Sequence, residues 1–156
     1  MSEEWLIDGY NVLHAFSRKR GGDRKLSRDA LFAQLAGFAS GEDRKVIVVL
    51  DGKGSDEELK GFQTAAFEVR YSQAVSADSA IEKYLYENRP KKLMVVTNDR
   101  AIAQIARGGG ARVTSAEGLI ELLRAQTKED KDILFKRQTD AHRFHRPFEK
   151  KLEKFE

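Results

Sequence analysis

Short apolar runs that alternate with helical periodicity constrain the fold of this chain more than any other feature of its sequence. The runs, rich in β-branched residues, are WLID (5–8), VIVVL (46–50), FEVRY (67–71), LMVVT (93–97) and the shorter ARVTS (111–115). The second and fourth are apolar on both faces, which is typical of central parallel strands covered by helices. Because strands alternate with helices, the pattern predicts right-handed βαβ units and a doubly wound α/β sheet.

Capping residues indicate where the intervening helices begin. Ser27, Ser76 and Ser115 can each cap a helix. A further helix is predicted over residues 98–107, with Gly108 as its terminating residue. Residues 52–66 are expected to form a loop with a short helix. The apolar residues expected to pack are Leu26 as a staple against Leu31, then Leu35, Phe38, Ala80, Ile81, Tyr84, Leu85, Leu119, Ile120, Leu122 and Leu123.

The alternation stops after residue 126. We predict one domain over residues 1–126 and an appended helical arm over residues 127–156. Thr127 and Asp130 resemble a capping box, from which a helix is predicted to about Gln138. Beyond Pro147, the residues that share one helical face are Phe148, Leu152 and Phe155. The arm is expected to dock on the domain, on a second subunit or on a partner.

Composition excludes several classes of protein. The chain of 156 residues suits one domain, and it contains no cysteine, so disulfides, thiolate nucleophiles and thiolate zinc sites are excluded. No apolar run approaches the roughly 20 residues that span a bilayer. The N-terminal MSEEWLIDGYN is acidic and leads at once into a strand, which is not the pattern of a signal peptide. We therefore expect a cytoplasmic protein without a membrane partner.

Acidic residues follow the predicted strands. Asp8, Asp51 and Asp99 lie at or just after the ends of strands one, two and four, while Asp78 and Glu82 lie one turn apart on the helix after strand three. Because the carboxyl ends of parallel strands meet at one edge, these side chains are expected to converge there. Clustered carboxylates repel one another unless a cation neutralises them, and carboxylate oxygens suit Mg²⁺ or Mn²⁺. The pattern indicates metal-dependent phosphodiester hydrolysis.

Each acid also has a structural interpretation. A single Asp after a strand is usually a turn or a helix cap, and Asp51 with Gly52 is an ordinary turn signal. Asp78 and Asp99 can be first-turn acids favoured by a helix dipole, and Glu82 can pair with a surface lysine. The location of all five at one edge is harder to explain in this way.

Other α/β chemistries fail on specific residues. No G-x-G-x-x-G follows a strand, and neither a P-loop nor a G-x-S-x-G elbow occurs. Phosphoaspartyl hydrolases have D-x-D after strand one, whereas Asp8 is followed by Gly9 and Tyr10. Response-regulator receivers need an acidic pair at strand one and a lysine after strand five, and this sequence has neither.

A basic segment suggests a polyanionic partner. Residues 18–28 contain a single acid, Asp23, among the basic residues Arg18, Lys19, Arg20, Arg24, Lys25 and Arg28. This segment follows Asp8 closely enough to clamp an RNA backbone, although a solvated surface is the commoner role of such residues. Tyr10 and His14 can stack on a base or pack in the interior. His142, Arg143, His145 and Arg146 can bind phosphate or form a solvated helix face.

Four blocks of this sequence, taken together, resemble a known family. They are EWLIDGYNVLHAF (4–16), VIVVLDGKG (46–54), VSADSAIEKYL (75–85) and VVTNDRAIAQIARGGGARVTSAEGLIELL (95–123). In this order they resemble the NYN branch of the PIN-like nucleases, specifically its YacP-like group. The matching blocks cover most of the chain, roughly residues 4–124.

The resemblance implies a three-layer α/β/α PIN-like domain with a central parallel sheet, and metal-dependent RNA cleavage. Within this group, messenger RNA is known to be cleaved on the ribosome. Matched by motif, Asp8, Asp78 and Asp99 become the metal-binding acids, and Asp51 has a supporting role. Asn11 and Asn98 become polar neighbours that orient water or phosphate.

Two other functions remain open from the sequence. A non-catalytic RNA- or ribosome-binding module with this fold predicts salt-sensitive RNA binding without turnover. A small-molecule phosphohydrolase predicts turnover of nucleotides or phosphomonoesters while RNA stays intact. DNA also stays open as a substrate, because no residue that reads a 2′-hydroxyl can be identified. The sequence leaves the number of metal ions and the oligomeric state undecided.

Overall fold

The predicted parallel sheet is present in the structure, a computed structural model that describes residues 3–21, 23–41, 43–88, 92–129, 132 and 135–136. Within these residues the strands are β1 (Glu3–Asp8), β2 (Arg44–Leu50), β3 (Phe67–Tyr71), β4 (Leu93–Val96) and β5 (Arg112–Thr114). All pairings between them are parallel. The five predicted strands are therefore confirmed, with the bounds of β3 as predicted and the others within two residues at each end.

Helices connect the strands. They are α1 (Gly9–Arg20), α2 (Arg24–Gly41), the short α3 (Asp56–Leu59) with a 3₁₀ turn (Lys60–Phe62), α4 (Ala77–Asn88), α5 (Arg100–Gly108) and α6, which begins at residue 116. The loop with a short helix is confirmed by α3 and its 3₁₀ turn. Helix α1 was not predicted, although its buried Val12, Leu13 and Phe16 have helical spacing.

The sheet lies between two layers of helices. Alternate residues of the central strands enter opposite cores, because successive side chains of a strand point to opposite faces. Trp5 and Ile7 of β1 pack with apolar residues of α1, α2 and α6. Leu6 and the neighbouring Ile47 of β2 pack on the other face with residues of α4 and α5. This arrangement confirms the three-layer α/β/α fold.

Two of the three predicted serine caps are confirmed. The hydroxyl of Ser76 accepts a hydrogen bond from the backbone of Ser79 (3.1 Å), and that of Ser115 accepts one from Gly118 (3.0 Å). The Ser27 prediction is wrong. Helix α2 begins three residues earlier, and Asp23 Oδ1 accepts hydrogen bonds from the backbone of Lys25 (2.7 Å) and Leu26 (3.3 Å).

Side-chain burial also corrects two packing predictions. Leu26 is 63% exposed, so it does not staple against the buried Leu31. Leu122 is exposed as well, whereas Leu119, Ile120 and Leu123 are buried. On α4, the predicted face is confirmed: Ile81 is buried, and Ala80, Tyr84 and Leu85 pack against the same core.

The strand order defines a switch point in the sheet. Among the described residues the order is β3-β2-β1-β4-β5, so the chain extends outward from β1 in one direction and then returns to add β4 on the other side. Helices on opposite faces diverge at this point, which leaves a crevice beyond the carboxyl ends of β1 and β4. Ligands of doubly wound folds bind in such crevices.

The chain divides into two compact units, residues 1–123 and 124–156. The sheet and helices above belong to the first unit. In the second, the described residues 124–129, 132 and 135–136 are helical. The predictions for Asp130, Gln138, Pro147, Phe148, Leu152 and Phe155 lie outside the described residues. None of the helices in the described part of the chain is long and apolar enough to cross a membrane.

Candidate functional site

Asp8 lies at the centre of the crevice. It is the last residue of β1, and its Cα is paired with that of Val49 in β2. The residue is only 5% exposed. Its Oδ2 accepts hydrogen bonds from Asn11 Nδ2 (2.8 Å) and Thr97 Oγ1 (3.3 Å). Both of these bonds go to the same oxygen, so Oδ1 is the oxygen that they leave for other ligands.

The environment of Asp8 disfavours its charge. Burial raises the pKa of Asp8 above its usual range, and repulsion from Asp78 and Asp99 raises it further. The hydrogen bonds from Asn11 and Thr97 act in the opposite direction. Asp99 lies close to Asp8, because the Thr97 hydroxyl bonds both to the Asp8 carboxylate and to the backbone N–H of Asp99.

Asp78 interacts electrostatically with three of the other acids. It lies exposed in the first turn of α4, and its pKa is also raised, first by partial burial and then by repulsion from Asp99, Asp51 and Glu82. Each of the five acids that the sequence placed at this edge is thus within electrostatic range of at least one other. Their role as metal ligands stays a prediction.

Two of these acids also cap helices. Asp99 is the N-cap of α5, and its Oδ1 accepts hydrogen bonds from Ala101 N (2.8 Å) and Ile102 N (3.1 Å). Asp51 accepts one from Ala77 N (2.8 Å), so it caps α4 from the end of a different strand. In each case the bonds to backbone N–H groups use only Oδ1.

The two asparagines link the strand ends. Asn11 holds Asp8 through its amide nitrogen, and its Oδ1 accepts a hydrogen bond from the backbone of Asn98 (3.2 Å). Asn98 Oδ1 accepts from Ala116 N (2.9 Å), and Asn98 Nδ2 donates to Glu117 Oε1 (3.3 Å). Both side chains therefore bond to protein groups around the acids, and their predicted contact with water or phosphate is untested.

Thr97 and Glu117 were missed by the sequence-based predictions. Thr97 is buried, and its hydroxyl both donates to Asp8 and accepts from the backbone of Asp99 (3.0 Å). Glu117 Oε2 forms an ion pair with Arg18 (3.1 Å). A hydrogen bond to its own backbone N–H, together with those from Asn98 and Arg18, lowers the pKa of Glu117.

The acids have the chemistry of a divalent-cation site, although no ready cage is formed. Within the described part of the chain, no three Asp, Glu or His side chains are grouped so that they could hold one metal ion. Mg²⁺ usually keeps several waters and is bound by one or two carboxylates, so it does not need such a group. Burial first, and then repulsion from the other acids, raises the pKa values of Asp8 and Asp78, and a cation would relieve the repulsion. The acids therefore fit a hydrated Mg²⁺ or Mn²⁺.

Several side chains of the basic segment (residues 18–28) bond to other groups of the protein. Arg18 and Lys19 at the end of α1 pair with Glu117 (3.1 Å) and Glu121 (3.6 Å) of α6. Arg20 Nη1 donates to the backbone oxygen of Leu26 (3.3 Å). The other basic residues lie in the first turns of α2, which Arg24 begins, followed by Lys25 and Arg28. RNA binding by this segment stays a prediction.

Two candidates for base stacking lie on α1. Tyr10 and His14 are both exposed, so neither has the buried packing role considered for them. Stacking is untested for either residue. His142, Arg143, His145 and Arg146 lie outside the described residues.

Comparisons with known proteins agree with this architecture. The sequence model of a family described as the YacP-like NYN domain matches residues 5–156, and so extends beyond the blocks recognised in the sequence. The crystal structure of Rae1 (YacP) from Bacillus subtilis is similar, with a TM-score of 0.69 and 27% identity over 90% of this chain and 84% of that chain. A single-residue variant of that protein gives a TM-score of 0.67 and 23% identity over 87% of this chain and 83% of that chain. The comparison with curated proteins found no match.

Proposed function

The chain belongs to the YacP-like NYN domain family, and we propose that it is a divalent-metal-dependent endoribonuclease. NYN domains are generally ribonuclease-type domains, and the fold is PIN-like. One observation carries the proposal for this chain. The buried carboxylate of Asp8 lies at the switch point of the sheet and is repelled by Asp78 and Asp99 from other elements.

In this proposal Asp8, Asp78 and Asp99 hold Mg²⁺ or Mn²⁺, with Asp51 and Glu82 in support. The bound ion would stabilise negative charge on the phosphate and make water a stronger nucleophile near neutral pH. The expected products have 5′-phosphate and 3′-hydroxyl ends.

The neighbouring residues hold the acids in place. Asn11 and Thr97 fix the orientation of the Asp8 carboxylate. Thr97 also bonds to the backbone of Asp99, so a single hydroxyl joins the ends of two strands. Asn98 connects this edge to the start of α6. Such positioning matters because reacting groups must be held close to the productive geometry.

The proposed substrate is RNA. We propose that the protein cleaves messenger RNA on the ribosome, in the cytoplasm. The resemblance to the YacP-like group supports this setting. We also propose that residues 1–126 form the nuclease domain and that residues 127–156 are an appended helical arm. The family match over residues 5–156 includes this arm.

A cleavage assay tests the proposal. Purified protein is incubated with labelled RNA, either free or ribosome-loaded, in Mn²⁺, Mg²⁺ or chelator, and with DNA of the same sequence. We expect RNA to be cleaved only with metal. Asp8→Asn should abolish cleavage, whereas Asp43→Asn should not, because exposed Asp43 precedes β2 at the opposite edge of the sheet.

Other outcomes identify the alternatives. Equal cleavage by Asp8→Asn and the unaltered protein would attribute the activity to a contaminant. Binding of RNA without turnover would identify a non-catalytic module. Turnover of nucleotides or phosphomonoesters with RNA intact would identify a small-molecule phosphohydrolase.

A further inference from the structure

A cleft opens beside the acidic crevice, between the first turns of α1 and α2. It has a volume of about 470 Å³ and is lined by Tyr10, Leu13, Lys25 and Arg28. Ligand-binding clefts typically have volumes of about 300–1,000 Å³. Tyr10 is two residues after Asp8, so the cleft lies close to the proposed cleavage site.

The cleft combines three kinds of surface. Tyr10 is 38% exposed, whereas Leu13 is buried to 3% exposure and forms an apolar floor. Lys25 is exposed at the rim. An exposed aromatic ring over an apolar floor, with a cation at its edge, is complementary to a base that is attached to a phosphate.

Lys25 differs from three other cations of the segment. Arg18, Lys19 and Arg28 form ion pairs with carboxylates, whereas Lys25 forms none with any residue that the structure describes. Its backbone N–H is held by Asp23 Oδ1 (2.7 Å) in the cap of α2. Lys25 thus projects from a fixed turn with its charge free for a ligand.

Arg28 forms a wall of the cleft. It pairs with Asp29 (3.4 Å) and Glu58 (3.3 Å), and its guanidinium lies 5.6 Å from the ring centroid of Phe62. Glu58 also accepts a hydrogen bond from Tyr71 (3.0 Å). These contacts hold Arg28 in place and neutralise it, so Lys25 is the cation that a ligand would meet.

We propose that this cleft is a nucleotide subsite, in which a base next to the cleaved phosphate stacks on Tyr10 and its phosphate contacts Lys25. This inference rests on the proposed endoribonuclease function and assigns the residues that hold the substrate. A single free cation beside an apolar floor suits a nucleotide better than free phosphate. The base must be unpaired, because a ring can stack only on an exposed base face.

Binding measurements test the subsite separately from cleavage. Fluorescence anisotropy with a short, labelled single-stranded RNA in chelator reports affinity without turnover. Tyr10→Ala should weaken binding about ten-fold or more, and Tyr10→Phe should retain it, because stacking contributes about 1–3 kcal/mol per base. Lys25→Ala should lower the slope of log K against log salt by about 0.7, the value for one phosphate contact. Lys45→Ala, an exposed lysine at the start of β2, is the matched control and should leave the slope unchanged.

Abasic RNA gives a second test, in which the stacked base is removed from the RNA as well as the ring from the protein. Moving one abasic nucleotide along the RNA should identify a position where binding to the unaltered protein weakens but binding to Tyr10→Ala does not weaken further. If abasic RNA weakens binding equally for both proteins at every position, the subsite is refuted. Base-dependent binding through Tyr10 without cleavage in Mn²⁺ would instead refute the proposed function and keep the subsite. Cleavage with unchanged binding by Tyr10→Ala and Lys25→Ala would refute the subsite alone.

Discussion

The position of Asp8 depends on the glycine that follows it. A Cβ at Gly9 would lie 2.6 Å from Leu50 Cδ2 and 2.8 Å from the backbone oxygen of Val49. Non-bonded carbon atoms prefer separations of about 3.5–4.0 Å, so the first of these contacts is too short by roughly 1 Å. The side chain of Leu50 can move, but the carbonyl of Val49 belongs to a central strand. Gly9→Ala must therefore displace the junction between β1 and α1.

The expected cost of Gly9→Ala follows from two opposing effects. Inserting a methyl group into a packed interior costs about 1–3 kcal/mol. The better helix propensity of Ala returns at most about 1 kcal/mol. We expect a net loss of about 1–2 kcal/mol in the free energy of unfolding, or roughly 2–8 °C in Tm for a domain of this size. A displacement of about 1 Å at Asp8 should also slow RNA cleavage about a hundred-fold.

Thermal unfolding and the RNA cleavage assay measure both effects of Gly9→Ala. Gly37→Ala in α2 is the matched control, because its Cβ would meet nothing within 4 Å. That variant should gain about 0.5–1 kcal/mol in stability and cleave RNA normally. If Gly9→Ala unfolds and cleaves like the unaltered protein, the close packing of this junction does not position Asp8.

Three further predictions concern the acids. The pKa values of Asp8 and Asp78 are raised in the folded state, so metal-free protein should lose stability as the pH rises from about 4, the unfolded value, through the folded values. Melting curves across this pH range, with chelator or with Mg²⁺, measure the effect. Mg²⁺ should restore stability at the higher pH. Thr97→Val should cost about 1–3 kcal/mol by chemical denaturation, because buried Asp8 loses a hydrogen bond, whereas Thr97→Ser should cost less. Asp99→Asn should keep the stability of α5 but lose cleavage and Mg²⁺-induced stabilisation, whereas Asp99→Ala should lose the cap as well, at about 0.5–2 kcal/mol.

The sheet was predictable because its signal is local. β-branched runs bounded by polar residues located every strand, and β3 was predicted with its observed bounds. Helix α1 was missed because its apolar residues are few and it ends in the basic run Arg18–Arg20. Ser27 was wrongly predicted as the cap of α2. Asp23, four residues earlier, caps the helix, and Ser27 lies buried within it.

The site was predictable only in part. Its acids lie at strand ends, and parallel strands bring those ends together whatever the loops do. Thr97 could not be assigned to Asp8 in this way, because the two residues are 89 positions apart and meet only in the folded sheet. A local signal did exist, since a threonine two residues before an acid often accepts its backbone N–H. Glu117 had no comparable signal beyond its place in the first turn after Ser115.

The structural and the functional interpretations of the acids are compatible. Asp51 and Asp99 do cap helices, as single acids after strands usually do, but each cap uses only Oδ1. The capping bonds fix the carboxylates against the positive ends of α4 and α5, and this interaction offsets part of their mutual repulsion before a cation binds. The second oxygen of each takes no part in these capping bonds, and Asp78 is close enough to both carboxylates for repulsion. If the proposed function is correct, these two helix caps would also hold metal-binding carboxylates in place.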